Sequence, residues 1–80
     1  MGRLDEALEL QKALDSELTK AGAADGYVYE ELGELYLLKH NDAEAARQFA
    51  RAYKELSQDE WLVKNEPQRL ARIKRVAKVQ

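Results

Sequence analysis

The chain has 80 residues, of which 45% are hydrophobic and 35% are charged, and its formal net charge is −2. A chain of this length forms one small domain with a small core, and a composition with one proline and four glycines favours a helix-rich folded chain over a disordered one. The sequence has no cysteine, which excludes disulfides, thiolate metal ligands and a cysteine nucleophile.

The sequence predicts no membrane segment and no leader. Its longest uninterrupted apolar runs have three to four residues, whereas a membrane-spanning helix needs about 20. The opening stretch, MGRLDEALEL, includes acidic side chains and no long apolar core, so we expect no signal peptide. The expectation is a soluble protein of the cytoplasm with no membrane partner.

Helical periodicity dominates the chain and begins with a first helix over 2–21. The stretch AGAADG ends this helix, and Asp25 is placed to cap the next one. We expect one broad apolar face on the first helix, formed by Leu4, Ala7, Leu8, Leu10, Leu14, Leu18 and Ala21.

A second helix over 26–39 and a third helix over 42–56 follow. His40 and Asn41 separate them, and Asn41 with Glu44 resembles a capping box that opens the third helix. Because the connection is short, the two helices should be antiparallel neighbours. The side chains expected on their inner faces are Val28, Leu32, Leu35, Tyr36, Ala45, Ala46, Phe49, Ala52, Tyr53 and Leu56.

The last part of the chain predicts a short turn near 58–63 and a basic closing helix over 66–78. Ser57 repeats the cap signature before the turn, and Asn65 followed by Pro67 is typical of a helix start. No segment alternates as a strand would. The predicted fold class is therefore all-α, with antiparallel hairpins of about four helices in a single domain. The residues expected to face inward from the closing helix are Leu70, Ile73, Val76 and Ala77.

Small and aromatic residues recur at fixed spacings over 27–57. These landmarks are Tyr29, Leu32, Gly33, Tyr36, Ala45, Phe49 and Ala52. Their order resembles the tetratricopeptide repeat (TPR), a hairpin of two antiparallel helices. Glycine inside a helix costs about 1 kcal/mol relative to alanine, and we interpret Gly33 and Ala45 as small residues that let the two helices approach closely. Ser57 stands where the family usually has proline.

The resemblance extends to the flanking helices. Residues 2–18 resemble the second helix of a preceding repeat, with Gln11 in the place that Phe49 takes in the complete copy. The helix over 66–78 resembles the amphipathic helix that closes such arrays. A half repeat leaves the first helix with only one neighbour in the chain. We therefore expect either upstream repeats, which would make this chain a piece of a longer α-solenoid, or self-association through the first helix.

Candidate catalytic and metal-binding residues are few. His40 is the single histidine and lies in an interhelical turn without a serine or cysteine nearby in sequence, so we interpret it as a turn residue. Glu30, Glu31 and Glu34 could indicate metal ligation, but the Glu-x-x-His element of di-iron bundles is missing. The scattered glycines form no phosphate loop. We expect no enzyme activity, no cofactor and no metal.

The tetratricopeptide resemblance implies a scaffold for protein–protein interaction. In the family, the first helix of each hairpin lines a concave surface, and the chaperone-binding members use lysine and asparagine there. The corresponding positions here are Tyr27, Glu30, Glu34, Leu37 and Leu38. We do not expect the chaperone specificity, because the two acids favour a basic or amphipathic peptide, with the apolar side chains supplying further contact. A purely structural end cap for upstream repeats is a third interpretation.

The basic closing helix supports an alternative function, contact with nucleic acid. The side chains that would make this contact are Arg69, Arg72, Arg75 and Lys78. The competing interpretation is a solvated face that complements an acidic body, because residues 1–62 carry fourteen acids and seven bases whereas residues 63–80 carry one acid and six bases. No aromatic residue is interleaved with the bases, so nucleic acid is the less favoured partner. Trp61 is interpreted as a packing plug beneath this helix, with a binding anchor as the alternative.

Overall fold

The computed structural model describes residues 2–78 and folds them into five α-helices, with no strand in that part of the chain. The helices are α1 (Gly2–Lys20), α2 (Gly26–Leu38), α3 (Asp42–Leu56), α4 (Glu60–Asn65) and α5 (Pro67–Ala77). The predicted all-α fold class is confirmed. The segment expected to be a short turn near 58–63 contains the six-residue helix α4. None of these helices is long and apolar enough to cross a membrane.

Helices α2 and α3 form an antiparallel hairpin with the most extensive contact in the fold. Gly26 at the start of α2 lies against Leu56 at the end of α3, and Gly33 lies against the ring of Phe49. A Cβ atom added to Gly33 would be 2.7 Å from two ring carbons of Phe49, which is closer than van der Waals contact allows. Because the Phe49 ring is fully buried, it has little room to move away, and the crossing requires a glycine.

Side chains cap the starts of α2 and α3 at the predicted residues. The carboxylate of Asp25 accepts a hydrogen bond of 2.9 Å from the backbone N–H of Tyr27. The side-chain oxygen of Asn41 accepts one of 3.3 Å from the backbone N–H of Glu44. Each bond satisfies a donor that has no acceptor within its own helix, so these caps fix where the two helices of the hairpin begin.

The caps predicted for the last two helices are wrong. The carboxylate of Asp59, rather than the hydroxyl of Ser57, accepts hydrogen bonds from the first turn of α4. The side-chain amide of Asn65 donates to the carbonyl of Trp61, and α5 begins at Pro67 without a side-chain cap. Proline carries no backbone N–H, so the start of α5 has one donor fewer to satisfy.

Two groups of buried apolar side chains form the core. The larger group lies among α2, α3, α4 and α5, and the smaller group joins α1 to α2. The larger group consists of Tyr29, Ala45, Phe49, Ala52, Leu56, Leu62, Leu70, Ile73 and Ala77, and the smaller of Leu8, Leu32 and Leu35. The main helix contacts therefore follow a row in which α1 packs against α2, α2 against α3, and α3 against α5.

The broad apolar face predicted for α1 is only partly covered. Leu8 is buried against α2, and Leu4 and Ala7 pack beside it. Leu10 and Leu14, in contrast, are 68% and 49% exposed. One neighbouring helix covers one side of this face and leaves the other side in solvent.

Trp61 is not the packing plug that the sequence predicted. Its side chain is 61% exposed, whereas the adjacent Leu62 is fully buried in the larger core group. Consecutive residues of a helix point about 100° apart, so only one of the two can face the core. Leu62 fills that place, and Trp61 is left in solvent, where its alternative interpretation as a binding anchor stays open.

Candidate interaction surface

The residues predicted to face a ligand lie on α2. Tyr27 and Leu38 are 46% and 65% exposed, Glu30 and Glu34 are half-buried, and Leu37 is half-buried against the larger core group. Spacings of three and four residues place Tyr27, Glu30, Glu34 and Leu38 along one side of the helix. We call this side, with those four residues, the α2 strip.

Two arginines of α5 bind the two acids of the α2 strip. Arg69 pairs with Glu30 through both carboxylate oxygens, with Nε–Oε2 and Nη2–Oε1 distances of 3.0 and 2.5 Å. Arg72 pairs with Glu34 in the same bidentate way, at 2.6 and 3.1 Å. Two residues predicted to face a ligand are thus held by two residues predicted as alternative nucleic-acid contacts. The basic helix neutralises part of the acidic body within the molecule.

An acid of the α2 strip stabilises the charged form of each of these two arginines. Hydrogen bonding to Glu30 raises the pKa of Arg69, and hydrogen bonding to Glu34 raises that of Arg72, against the smaller opposing effect of partial burial. The Arg69 guanidinium also lies 5.2 Å from the ring centroid of Tyr27, within the range of a cation–π interaction. One arginine therefore contacts both the first aromatic residue and the first acid of the α2 strip.

The α2 strip has a paired, electrically neutral centre and apolar ends. Tyr27 and Leu38 are eleven positions apart in the sequence, which corresponds to about 16 Å along the helix axis, or about three turns. A partner with two apolar side chains at this separation would cover both ends without carrying a net charge. The apolar side chains of the α2 strip are thus at its two ends, and its acids are paired within the chain.

Arg75 and Lys78 are separate from these ion pairs. Both side chains are exposed, and neither pairs with an acid within residues 2–78. The candidate nucleic-acid contacts thus divide into two that are bound to acids and two that face solvent. Nucleic-acid binding, whose electrostatic part grows with the number of phosphates neutralised, stays a hypothesis. A gel-shift assay at low salt tests it, and no retardation would exclude it.

The candidate catalytic and metal-binding residues do not come together. His40 is exposed in the turn after α2, with a positive φ of 60°. Glu31 is exposed, while Glu30 and Glu34 are occupied by guanidinium groups. In the described part of the chain, no group of histidine, aspartate and glutamate side chains is arranged to hold a metal ion.

Sequence reasoning missed a second set of polar contacts, centred on Arg51 of α3. The guanidinium donates two hydrogen bonds of 2.9 Å to the carboxylate of Asp15 on α1 and one of 2.8 Å to the side-chain oxygen of Gln48. The ring of Tyr29 on α2 lies 3.8 Å from the guanidinium carbon. Hydrogen bonding by Arg51 lowers the pKa of Asp15. No local sequence pattern signals a pair 36 residues apart.

Compared with known protein families, with curated proteins and with solved structures, the chain shows no match. The tetratricopeptide assignment and the interaction surface therefore rest on the residues and contacts described above.

Proposed function

We propose that the chain is a non-catalytic protein–protein interaction module, built as a tetratricopeptide-like piece of an α-solenoid. The repeat assignment is supported by contacts between its landmarks. Gly33 lies against Phe49 where α2 crosses α3, and Ala45 and Ala52 are fully buried in the same core group. The repeat pattern has small residues and an aromatic ring at these positions. The row of helices, each packed against the next, also agrees with a solenoid.

The observation that carries the interaction function is the α2 strip. Its ends, Tyr27 and Leu38, are large exposed apolar side chains. Its centre is held by the Glu30–Arg69 and Glu34–Arg72 ion pairs. A surface whose side chains are already held in place loses less conformational entropy when a partner binds.

The partner that this surface suits is an amphipathic segment of another protein. A strongly basic peptide would have to displace Arg69 from Glu30 or Arg72 from Glu34, and each displacement breaks a bidentate pair. An amphipathic helix or strand can instead place apolar side chains over the two ends of the α2 strip and leave both pairs intact. Of the basic and amphipathic peptides expected from the sequence, we therefore favour the amphipathic one.

A phage-displayed library of random peptides, selected against the whole chain, tests the proposal. The affinity of a selected peptide is measured by fluorescence anisotropy for the unmodified chain and for the double variant Tyr27→Ala/Leu38→Ala. Removal of two contact side chains should weaken binding by at least about tenfold. The matched control is Trp61→Ala/Val63→Ala, which removes exposed apolar surface from α4 and should leave the affinity unchanged.

Three results would contradict the proposal in different ways. Equal affinity for the unmodified chain and Tyr27→Ala/Leu38→Ala would exclude the α2 strip as the binding surface. A loss found only with Trp61→Ala/Val63→Ala would assign binding to α4 instead. Failure to select any peptide would argue against an interaction function of this kind. Circular dichroism of each variant establishes that its helices are intact.

A further inference from the structure

A groove lies where α3, α4 and α5 meet, and it encloses about 430 Å³. This volume is within the range of about 300–1,000 Å³ that is usual for ligand-binding clefts. We call it the α3–α5 groove. The side chains that line it are Tyr53, Ser57, Val63, Pro67, Leu70, Ala71 and Lys74.

The α3–α5 groove exposes apolar surface to solvent. Leu70 is buried and forms its base, whereas Val63 on α4 is 50% exposed. Pro67 and Ala71 on α5 are also exposed, and Tyr53 on α3 is half-buried. Apolar surface of this kind is stabilised when a partner removes it from water, and a concave shape lets several side chains contribute to one contact. The groove therefore has the form and the polarity of a docking site.

Helix α5 carries basic side chains on two opposite sides. Arg69 and Arg72 point toward α2, where Glu30 and Glu34 bind them. Lys74 is two residues beyond Arg72, which places it about 200° around the helix, and it lines the α3–α5 groove. One basic side of α5 is thus neutralised within the chain, and the side at the groove is not.

The charge at the α3–α5 groove is positive and has no counter-charge there. Lys74 forms no ion pair within residues 2–78, and none of the seven lining residues is acidic. Glu55 and Glu60, on the adjoining helices α3 and α4, do not line the groove. The amine of Lys74 lies 6.0 Å from the centroid of the Tyr53 ring, at the outer limit of a cation–π interaction. Lys74 is therefore available to a carboxylate supplied by a partner.

We propose that the α3–α5 groove binds an acidic amphipathic segment of another protein. Apolar side chains of the segment would lie over Leu70, between Val63 and Ala71, and a carboxylate of the segment would pair with Lys74. This site is separate from the α2 strip, because the two lie on opposite sides of α5, and it does not depend on a partner bound there. The partners should differ as well, since the acids of the α2 strip are already paired and the lysine of the groove is not.

The lining of the α3–α5 groove favours a peptide over nucleic acid. Lys74 is the one base among the seven lining residues, whereas nucleic-acid binding gains from each phosphate that a base neutralises. Most of the remaining lining is apolar, and a phosphate backbone makes no favourable contact with such a surface. A segment that alternates carboxylates with apolar side chains matches both the lysine and the apolar lining.

A phage-displayed library of random peptides, selected against the whole chain with Tyr27→Ala/Leu38→Ala, supplies the probe without use of the α2 strip. We expect the selected peptides to combine aspartate or glutamate with apolar residues. The affinity of a fluorescein-labelled selected peptide is then measured by anisotropy. Ala71→Glu should weaken binding by at least about tenfold, because the new side chain fills the groove and repels carboxylates. The matched control is Gln68→Glu, which adds the same charge to α5 outside the groove and should weaken binding by less than about twofold.

A second set of variants isolates the charge of Lys74. Lys74→Gln should weaken binding of the labelled peptide by at least about fivefold, and Lys74→Arg should keep the affinity within about twofold. Arg75→Gln removes an adjacent exposed base that does not line the groove, so its effect should be smaller than that of Lys74→Gln. Added salt should weaken binding to the unmodified chain more than binding to Lys74→Gln. Circular dichroism shows whether each variant keeps its helices.

Any of three results overturns the proposal. The selection could yield no peptide, or only peptides without acidic residues. Ala71→Glu could bind the labelled peptide as tightly as the unmodified chain does. A labelled single-stranded oligonucleotide could bind more tightly than the peptide and lose binding with Lys74→Gln, which would assign the groove to nucleic acid. None of these results bears on the α2 strip, because Ala71→Glu should bind a peptide selected for that strip as the unmodified chain does.

Discussion

Arg51 on α3 holds Asp15 on α1 through two hydrogen bonds of 2.9 Å, although the two helices are not neighbours in the row. The ring of Tyr29 on α2 lies 3.8 Å from the guanidinium carbon of Arg51. A single side chain therefore connects the first three helices. The pair ties α1 to α3 in addition to the packing of α1 against α2, as the Glu30–Arg69 and Glu34–Arg72 pairs tie α2 to α5.

Replacement of the Asp15 carboxylate should destabilise the fold in a pH-dependent way. Arg51 lowers the pKa of Asp15 below its ordinary value of 3.8, so the pair stabilises the folded state above that pH and loses its effect as the pH falls through the lowered pKa. We expect Asp15→Asn to reduce the free energy of unfolding by about 1 kcal/mol at neutral pH. Urea denaturation at neutral and acid pH measures the difference, which should shrink in acid.

Glu17→Gln is the matched control for Asp15→Asn. Glu17 is exposed on the same helix and forms no ion pair within residues 2–78. Its neutralisation should change the free energy of unfolding by less than about 0.5 kcal/mol. If Asp15→Asn lowers the free energy of unfolding by as much in acid as at neutral pH, the lost ion pair is not the cause of the destabilisation.

Gly33→Ala should destabilise the fold even though alanine is the better helix former. The new Cβ atom would lie 2.7 Å from the buried ring of Phe49, and overpacking of this kind costs about 1–3 kcal/mol. The gain in helix propensity is about 1 kcal/mol. We expect a net loss of about 1 kcal/mol in the free energy of unfolding, measured by urea denaturation followed by circular dichroism.

A double-mutant cycle identifies the cause of that loss. Phe49→Leu removes the ring that meets the new methyl group, so Gly33→Ala should cost less in a Phe49→Leu background than in the unmodified chain. Gly2→Ala is the control, since a Cβ atom there comes no closer than 3.6 Å to Glu6. Additive losses in the cycle would mean that Gly33 is required for another reason.

Exchange of the charges of Glu30 and Arg69 should reveal their coupling across α2 and α5. Either Glu30→Arg or Arg69→Glu alone places like charges together, and we expect each to lower the free energy of unfolding by about 1 kcal/mol. The double exchange restores opposite charges and should recover more than half of the summed loss. Glu31→Arg, at an exposed neighbouring position, is the control. If the double variant is no more stable than additivity predicts, the pair has no energetic role.

Asp59→Ala should lower the free energy of unfolding, whereas Ser57→Ala should leave it nearly unchanged. The Asp59 carboxylate accepts hydrogen bonds from the backbone N–H groups of Trp61 and Leu62, at 2.9 and 3.3 Å. Loss of such a cap typically costs about 1 kcal/mol. Urea denaturation followed by the fluorescence of Trp61 measures both variants. A larger loss of unfolding free energy for Ser57→Ala than for Asp59→Ala would instead identify Ser57, the residue predicted from the sequence, as the cap of α4.

The hairpin was predictable because its determinants are local. The caps at Asp25 and Asn41 depend on spacings within one helical turn, and Gly33 and Phe49 follow the fixed spacing of a single hairpin. The structure places all four where the sequence predicts. The exposure of Trp61 was not predictable from local spacing. A six-residue helix is too short for its periodicity to indicate which of two adjacent apolar residues faces the core.

The contacts of the candidate surface were only partly predictable. Charge totals indicated that the basic closing helix could complement an acidic body, but totals do not say which side chains meet. The pairing of Arg69 with Glu30 joins residues 39 positions apart, and its geometry depends on the rotation of both α2 and α5. Leu38 illustrates the same limit, because helical spacing places it beside Glu34 but does not give its exposure.

The row of helices also determines which parts of the molecule open first. Helix α1 is held by the smaller core group, the Arg51–Asp15 pair and an ion pair between Lys39 and Asp5, whereas α3 lies within the larger group and contacts neighbours on both sides. Local opening needs less free energy where fewer buried contacts are broken. Backbone amides of α1 should therefore exchange with solvent deuterium faster than those of α3, without unfolding of the whole chain. The helix with the partly uncovered apolar face is thus less protected than α3, and a neighbour added to that face would slow its exchange.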